Sequence, residues 1–380
     1  MLNLKKVEEF LLNKLSPVTT RKWLSEIKKW VVKKEAALLQ KQLDAKVEHF
    51  LETSPSSELL KYVLPVQVKL IMESTKDSDE AHRTLDIVFR AVNAYAELDP
   101  IVGVQPISAP VSKVFIMKYT PPKSDAGGTL LGIGQLLPTA KLEIVSNVVE
   151  AFSKKLNVQY SIEAAQDFNN RHDLDITTEL VNAVGSEISN EITTLVLHNL
   201  TELADKTSLV ELSANSVEAI VGKLIQSINR DSRAIARDTL RGNSNVIVTS
   251  PDVVSLLQNS KLFESVGTTF SGDCSYSSII HVGTLSNDIQ VYSSMASSLS
   301  GKVLIGYKGK SGPVDVGYIF APYTTVLPLG VSITPDSFHP TAKFATRYGT
   351  YENDVSNYYK LLDVSDLLKS YNTHTEILLG

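Results

Sequence analysis

The residues that could do chemistry come first, since their spacing decides whether a catalytic reading is open. "GKSG" at 309–312 matches the end of a phosphate-binding loop. That loop also needs a glycine where this chain has Leu304, and a helix where it runs into Pro313 and an extended stretch. "GTLLGIG" at 128–134 lacks the spacing of a dinucleotide fingerprint. The seven histidines are scattered, and none sits at zinc-binding spacing from another His or a Glu. "RHDLD" at 171–175 concentrates groups suited to acid–base work. At the start of a long helix, however, its carboxylates serve more simply as caps and dipole partners. No G-x-S-x-G elbow offers a serine nucleophile. Cys274, the single cysteine, reads as a small buried hydrophobe. The expectation is a chain with no catalytic residues, cofactor or metal.

One charged row remains. Arg230, Arg233, Arg237 and Arg241 follow one another at spacings of 3, 4 and 4, so they share a helix face near its C-terminus. The macrodipole favours positive charge there, and a solvated basic face accounts for most of the pattern. The functional reading is a row of intersubunit salt bridges or a nucleic-acid contact, and an acidic protein favours the former.

The chain is acidic, with net charge −5 over 380 residues, which argues against a dedicated nucleic-acid binder. Eleven Lys/Arg against six Asp/Glu give the first fifty residues +5, so the remainder carries −10 and a separate arm is expected. Hydrophobic content of 43% and charged content of 21% suit a folded chain of two or three units. No apolar run reaches about 18 residues, so no membrane span is expected. "MLNLKKVEEF" lacks a signal peptide's apolar stretch, and a cytosolic globular chain is expected.

These residues need elements to position them. Residues 1–52 read as amphipathic helix in pieces, followed by a linker, "ETSPSSE". "TPPKSDAGGTLLGIGQLLPTAKLEIV", between two extended runs, describes a protruding loop joining two strands. Apolar spacing predicts a helix over 175–204, with Asp175 as N-cap and Ile176, Leu180, Val184, Ile188, Ile192, Leu195 and Leu203 on one face. Close packing is expected at Gly185, since glycine inside a helix costs roughly 1 kcal/mol relative to alanine. A second helix runs from about 216 to 241, with Gly242 as its C-cap. Val246 to Val248 read as a buried strand, with Ser250 as the N-cap of the helix after it and Pro251 at its first position. Short strands follow at 277–282, 289–292 and 302–307. Pro322 and Pro328 interrupt the apolar segment "YIFAPYTTVLPLGV", which few central strands would tolerate. The polar tail carries an apolar stripe at Leu361, Leu362, Leu367 and Leu368.

Five stretches together resemble the major capsid proteins of contractile-tailed, T-even-type bacteriophages: "DPIVGVQPISAPVSKVF", "VQYSIEAAQDFNNRHDLDITTELVNAVGSEISNEI", "NVIVTSPDVVSLL", "YIFAPYTTVLPL" and "FHPTAKFATRYG". They keep the family's order over roughly residues 95–350. The resemblance implies an α+β chain with the tailed-phage and herpesvirus capsid fold. Its divisions would be a helical N-terminal arm or delta-like region (1–80), an N-arm and start of a peripheral domain (81–115) and an extended loop (116–145). A peripheral domain with a spine helix (146–214), an axial domain (215–335) and a return to the peripheral domain with the tail (336–380) would follow. The proline-punctuated segment would join the axial domain back to a long peripheral sheet.

It further implies a head shell of hexamers and pentamers of this chain around phage DNA held without sequence specificity, assembled in the host cytoplasm and retained in the virion. Scaffold or core, portal, vertex and decoration proteins would be further partners. Lys123, Asp125 and Lys141 of the loop, with the arginine row, are the expected intersubunit contacts. Glu26 in "LSE" and Glu73 in "IME" fit the family's prohead-protease pattern. The chain departs from the family in having too few residues at 119–138 for the large T-even insertion, and in its first eighty residues. Alternatives are a cellular compartment shell of the encapsulin type, a minor vertex protein, or an α/β domain that binds a ligand or acts as an enzyme.

Overall fold

A computed structural model of the chain describes residues 41–48, 67, 68, 88, 95, 97–120, 141–159, 161, 163, 176–208, 217–266, 279–286, 288–309, 312–333, 340–369 and 371. Its strands are β1 (Gly103–Val104), β2 (Val111–Thr120), β3 (Lys141–Glu150), β4 (Phe152–Gln159), β5 (Asp205–Ser208), β6 (Val246–Thr249), β7 (Phe263–Ser265), β8 (Ile279–Leu285), β9 (Ile289–Ser294), β10 (Lys302–Gly306), β11 (Tyr318–Ile333), β12 (Pro340–Glu352) and β13 (Tyr359–Asp363). The longer helices are α1 (Ile176–Leu203), α2 (Val217–Thr239), α3 (Pro251–Gln258) and α4 (Val355–Tyr358). Among the described residues, no helix is long and apolar enough to cross a membrane.

An unbroken apolar run such as "VIVT" needs cover on both faces. β6 finds it inside a seven-stranded sheet ordered β5-β13-β10-β6-β9-β8-β7. Val246 and Val248 face one core with α1, while Ile247 faces another built on α2 and α3. Leu304 of β10 and Leu361 of β13 join the first core, and Val303, Ile305 and Leu362 join the second. Leu361 and Leu362 therefore lie on opposite faces of a strand, where the sequence suggested one stripe. The sheet also reaches beyond residues 215–335. β13 pairs antiparallel with β10 from Lys302↔Asp363 to Gly306↔Tyr359, and β5 pairs parallel with β13. β10 has apolar faces and a free edge, and β13 covers that edge with alternating apolar residues.

β11 leaves this unit for a four-stranded sheet ordered β1-β11-β12-β4. Its register with β12 shifts between Pro322 and Thr324, between Thr324 and Leu327, and between Pro328 and Gly330. The prolines thus coincide with bulges, where a missing donor disturbs the ladder least. β1 covers the other side of β11 at Ile319 and Phe320 alone among the described strands. A 16-residue strand with two prolines survives because most of it is paired on one side.

α1 lies between the two sheets and buries a wide arc. Val184, Ile188, Ile192, Val196, Leu197 and Leu200 are buried, and so are Thr193 and Thr201. Leu195 is only partly buried and Leu203, in the last turn, is exposed, so the expected single face is corrected to a broader one. Gly185 is buried, whereas Asp175 lies outside the described residues. Tyr318 Oη accepts from Asn199 Nδ2 at 2.9 Å, and Tyr359 Oη donates to the Ile101 carbonyl at 2.7 Å, so polar ties cross the same core.

Two cap expectations change. α2 stops at Thr239, and Leu240, not Gly242, takes the left-handed conformation (φ 54°). Gly242 instead passes the Tyr307 ring, which a Cβ there would approach to 3.3 Å. Ser250 does open α3 with Pro251 behind it, but its buried hydroxyl makes no capping bond; its carbonyl accepts from Val253 and Val254.

Candidate intersubunit surface

β2 and β3 pair antiparallel without a register shift from Val111↔Glu150 to Thr120↔Lys141, forming a two-stranded ribbon apart from both sheets. Strand alternation gives the ribbon two faces. Val114, Ile116 and Val149 turn inward onto Ile107, Val316, Ile319 and Ala321. On the opposite face Val111, Phe115, Leu142, Ile144 and Val148 are 49–67% exposed. Large apolar side chains left together in water are the signature of a surface awaiting a partner.

Backbone ties fix the base of the ribbon. Ala151 N–H donates to the Pro110 carbonyl at 2.8 Å, and Met117 N–H to the Val314 carbonyl at 2.9 Å. Gly349 of β12 lets β3 cross close by, since a Cβ there would lie 2.4 Å from Val149 Cγ1.

The arginine row does not stay together. Arg230 is engaged within the chain: its Nε meets Asp231 Oδ1 at 2.9 Å and its Nη2 donates to the Ser208 carbonyl at 3.0 Å. Buried Asp231 also accepts from the Thr207 hydroxyl at 2.7 Å. Arg241, beyond the helix end, turns inward to within 3.8 Å of buried Asp315, and its side chain is only 17% exposed. That corrects its expected place on the outward row, because the left-handed Leu240 redirects the chain. Arg233 and Arg237 are exposed, as Arg230 also is, and Arg237 Nε lies 3.3 Å from Asp238 Oδ1. Lys141 opens β3 opposite Thr120. Lys123, Asp125, Glu26, Glu73, Cys274 and the 171–175 cluster lie outside the described residues.

Other charges are spent on internal ties. Lys360 Nζ sits 2.9 Å from Asp205 and 3.0 Å from Asp238, joining β13 to β5 and to the end of α2. Burial pulls the Lys360 pKa down, but the hydrogen bonds to both carboxylates outweigh it and hold the pKa above the usual lysine value. Burial pushes Asp238 upward, and Lys360 more than reverses this, leaving it below the usual carboxylate range. Lys308 Nζ lies 3.0 Å from Asp99, and burial, only partly offset by that carboxylate, depresses its pKa. Of the "GKSG" segment, Gly309 and Gly312 are described: Gly309 N–H donates to the Asp315 carbonyl, and the next element is strand β11 rather than a helix. The apolar ribbon face was missed by sequence reasoning, though "VSKVF" and "LEIVSNVV" carry the alternation that builds it.

Several charges are tied off within the chain, and an apolar ribbon face is turned outward, the kind of surface found where proteins meet others. Comparison with known proteins narrows this. The chain matches the family described as Major capsid protein Gp23 over residues 78–133 and 122–375, and it belongs to that family. The major capsid protein of Vibrio phage KVP40 is 31% identical over 274 residues, covering 61% of this chain and 52% of that protein. That of Enterobacteria phage T4 is 30% identical over 231 residues, covering 54% and 43%. The chain thus spans about half the length of the curated relatives it matches. Among solved structures, a chain of Mycobacterium phage Bobi matches with TM-score 0.45 and 13% identity, covering 72% of this chain and 89% of that one. The capsid of a native GTA particle matches with TM-score 0.43 and 14% identity, covering 71% and 90%.

Proposed function

We propose that this chain self-assembles into hexamers and pentamers that close into the icosahedral head of a tailed phage, around DNA held without sequence specificity. Assembly in the host cytoplasm and residence in the virion go with that reading. The observation that carries it is the outward apolar face of the β2–β3 ribbon. Full burial of one such side chain contributes about 1.5–3 kcal/mol. Five on one ribbon, covered by a sister copy, offset much of the cost of association, and symmetry repeats the contact around each ring. Membership of a capsid family supports this over a ligand-binding or enzymatic α/β domain. Exposed Arg233 and Arg237 are suited to an acidic neighbour, with Lys123, Asp125 and Lys141 as further contacts of the ribbon and the loop at its end. In the same reading, scaffold, portal, vertex and decoration proteins are partners, and trimming occurs after Glu26 or Glu73, which intact-mass spectrometry of particles checks.

The test is assembly of the full chain followed by negative-stain microscopy and sedimentation. Wild type is expected to form closed shells, and Phe115→Asp with Ile144→Asp to remain as small oligomers at unchanged far-UV circular dichroism. Charge reversal at Arg233 and Arg237 is expected to lower particle yield. A wild-type chain that stays monomeric at high concentration would overturn the reading.

A further inference from the structure

Gln105 stands where the ribbon meets the body. Its main chain extends β1 along β11, with its N–H donating to the Phe320 carbonyl at 2.9 Å. Its side chain crosses to the ribbon. Nε2 donates to the Phe115 carbonyl at 2.7 Å and to the Pro313 carbonyl at 2.9 Å, while Oε1 accepts from Phe115 N–H at 2.9 Å. Both amide protons and the oxygen are used.

In an antiparallel pair, alternate residues turn their N–H and C=O away from the partner strand. Phe115 and Met117 are such residues on β2, which is why Gln105 and the Val314 carbonyl can reach them. The carboxamide of Gln105 therefore imitates one residue of a neighbouring strand, and its own backbone anchors it in the four-stranded sheet. The ribbon joins the body at Pro110 and Ala151, and its β2 side is held there by Gln105, by the Met117–Val314 bond and by the packing of Val114 and Ile116. Ten residues of strand reach about 33 Å. At that lever length a swing of about 10° at the base displaces the far end of β2 by about 6 Å, enough to miss a matching surface.

We infer that Gln105 is a positioning residue for assembly: its carboxamide clamps β2 at Phe115 and sets the angle at which the ribbon's apolar face meets a sister copy. This rests on the ribbon being an intersubunit surface. The clamp is partly exposed, so water replaces its bonds when it is removed; stability changes little, and β2 is left held by the Met117–Val314 bond and its apolar packing, with a wider range of angles.

The experiment uses the full chain with Gln105→Met, which keeps length and packing without hydrogen bonds, and Gln105→Glu, which keeps the acceptor but faces two carbonyls with a carboxylate. Both are expected to melt within about 4 °C of wild type. Amide exchange at Phe115 in the unassembled chain should accelerate about tenfold on loss of its bond, while Val114, whose N–H faces β3, stays as protected as before. Closed-shell yield should fall at least about tenfold, with misshapen particles in their place, a loss that each lost bond's strength makes reachable. If the methionine variant does not fold, the glutamate variant is read by the same criteria. Unchanged exchange at Phe115 would overturn the clamp, and faster exchange with normal shell yield would overturn its positioning role. The Phe115→Asp, Ile144→Asp chain separates the two ideas. Normal shells from it would sink the ribbon reading itself, whereas its failure beside a normally assembling Gln105 variant would sink only the clamp.

Discussion

The seven-stranded sheet and the β2–β3 ribbon are made of the same residue types, yet one is a core and the other a surface. β6 and β10 alternate valine, leucine and isoleucine between two covered faces, with α1 on one side and α2 and α3 on the other. The ribbon alternates similar residues, but the body covers only Val114, Ile116 and Val149. Burial is therefore decided by which layers the topology supplies, not by composition. Among the described residues no second layer covers the ribbon's outer face, the face proposed above to meet a sister copy.

Truncating one residue from each region breaks the comparison most sharply. Leu304→Ala, in the sheet, should cost about 2–5 kcal/mol of folding stability through transfer and cavity terms, read by urea unfolding of the unassembled chain. Ile144→Ala, on the ribbon, should stay within about 0.5 kcal/mol in the same assay while lowering shell yield. Equal costs at the two sites would mean that the ribbon is already packed within the monomer. Gly349→Val probes the join between ribbon and body. Its first added carbon would overlap Val149 Cγ1 and the Glu150 carbonyl, so overpacking should cost about 1–3 kcal/mol, visible as a lower melting temperature.

The smallest effect concerns the charges closing the sheet. The Asp238 pKa is depressed in the folded chain, so its contribution is present above the unfolded carboxylate value and is lost as pH falls through the folded one. The Lys360 pKa is raised, so its contribution is complete below the unfolded lysine value and fades as pH rises through the folded one. At neutral pH both are present. Asp238→Asn should flatten the acid limb of a melting-temperature profile while costing less than about 1 kcal/mol at pH 7. An unaltered acid limb would assign the pH response to other carboxylates.

Local signals were legible wherever the determinant is local. Pro251 marked the start of α3 and Val246 to Val248 a buried strand, because a proline at a first turn and an unbroken β-branched run carry their own meaning. Five quoted stretches were enough to indicate the family that the comparison shows. What escaped depended on distant partners. Leu361 and Leu362 read as a stripe because nothing nearby reveals that β10, over fifty residues earlier, needs an edge covered. The arginine row read as continuous because helical spacing says nothing of Leu240 ending the helix and sending Arg241 towards Asp315. The outward ribbon face was hidden by alternation on both sides, which looks like an ordinary strand pair until the missing layer is seen.

β13 lies between β5 and β10, although the chain makes it last of the thirteen described strands. During synthesis, β5 has no companion and the outer edge of β10 stays bare until residue 363 has emerged. The sheet therefore cannot be finished on a partly made chain. The seat of the ribbon, by contrast, is built from Val316, Ile319 and Ala321, which precede β13, so the last strand finishes the large sheet and leaves the ribbon's footing as it was.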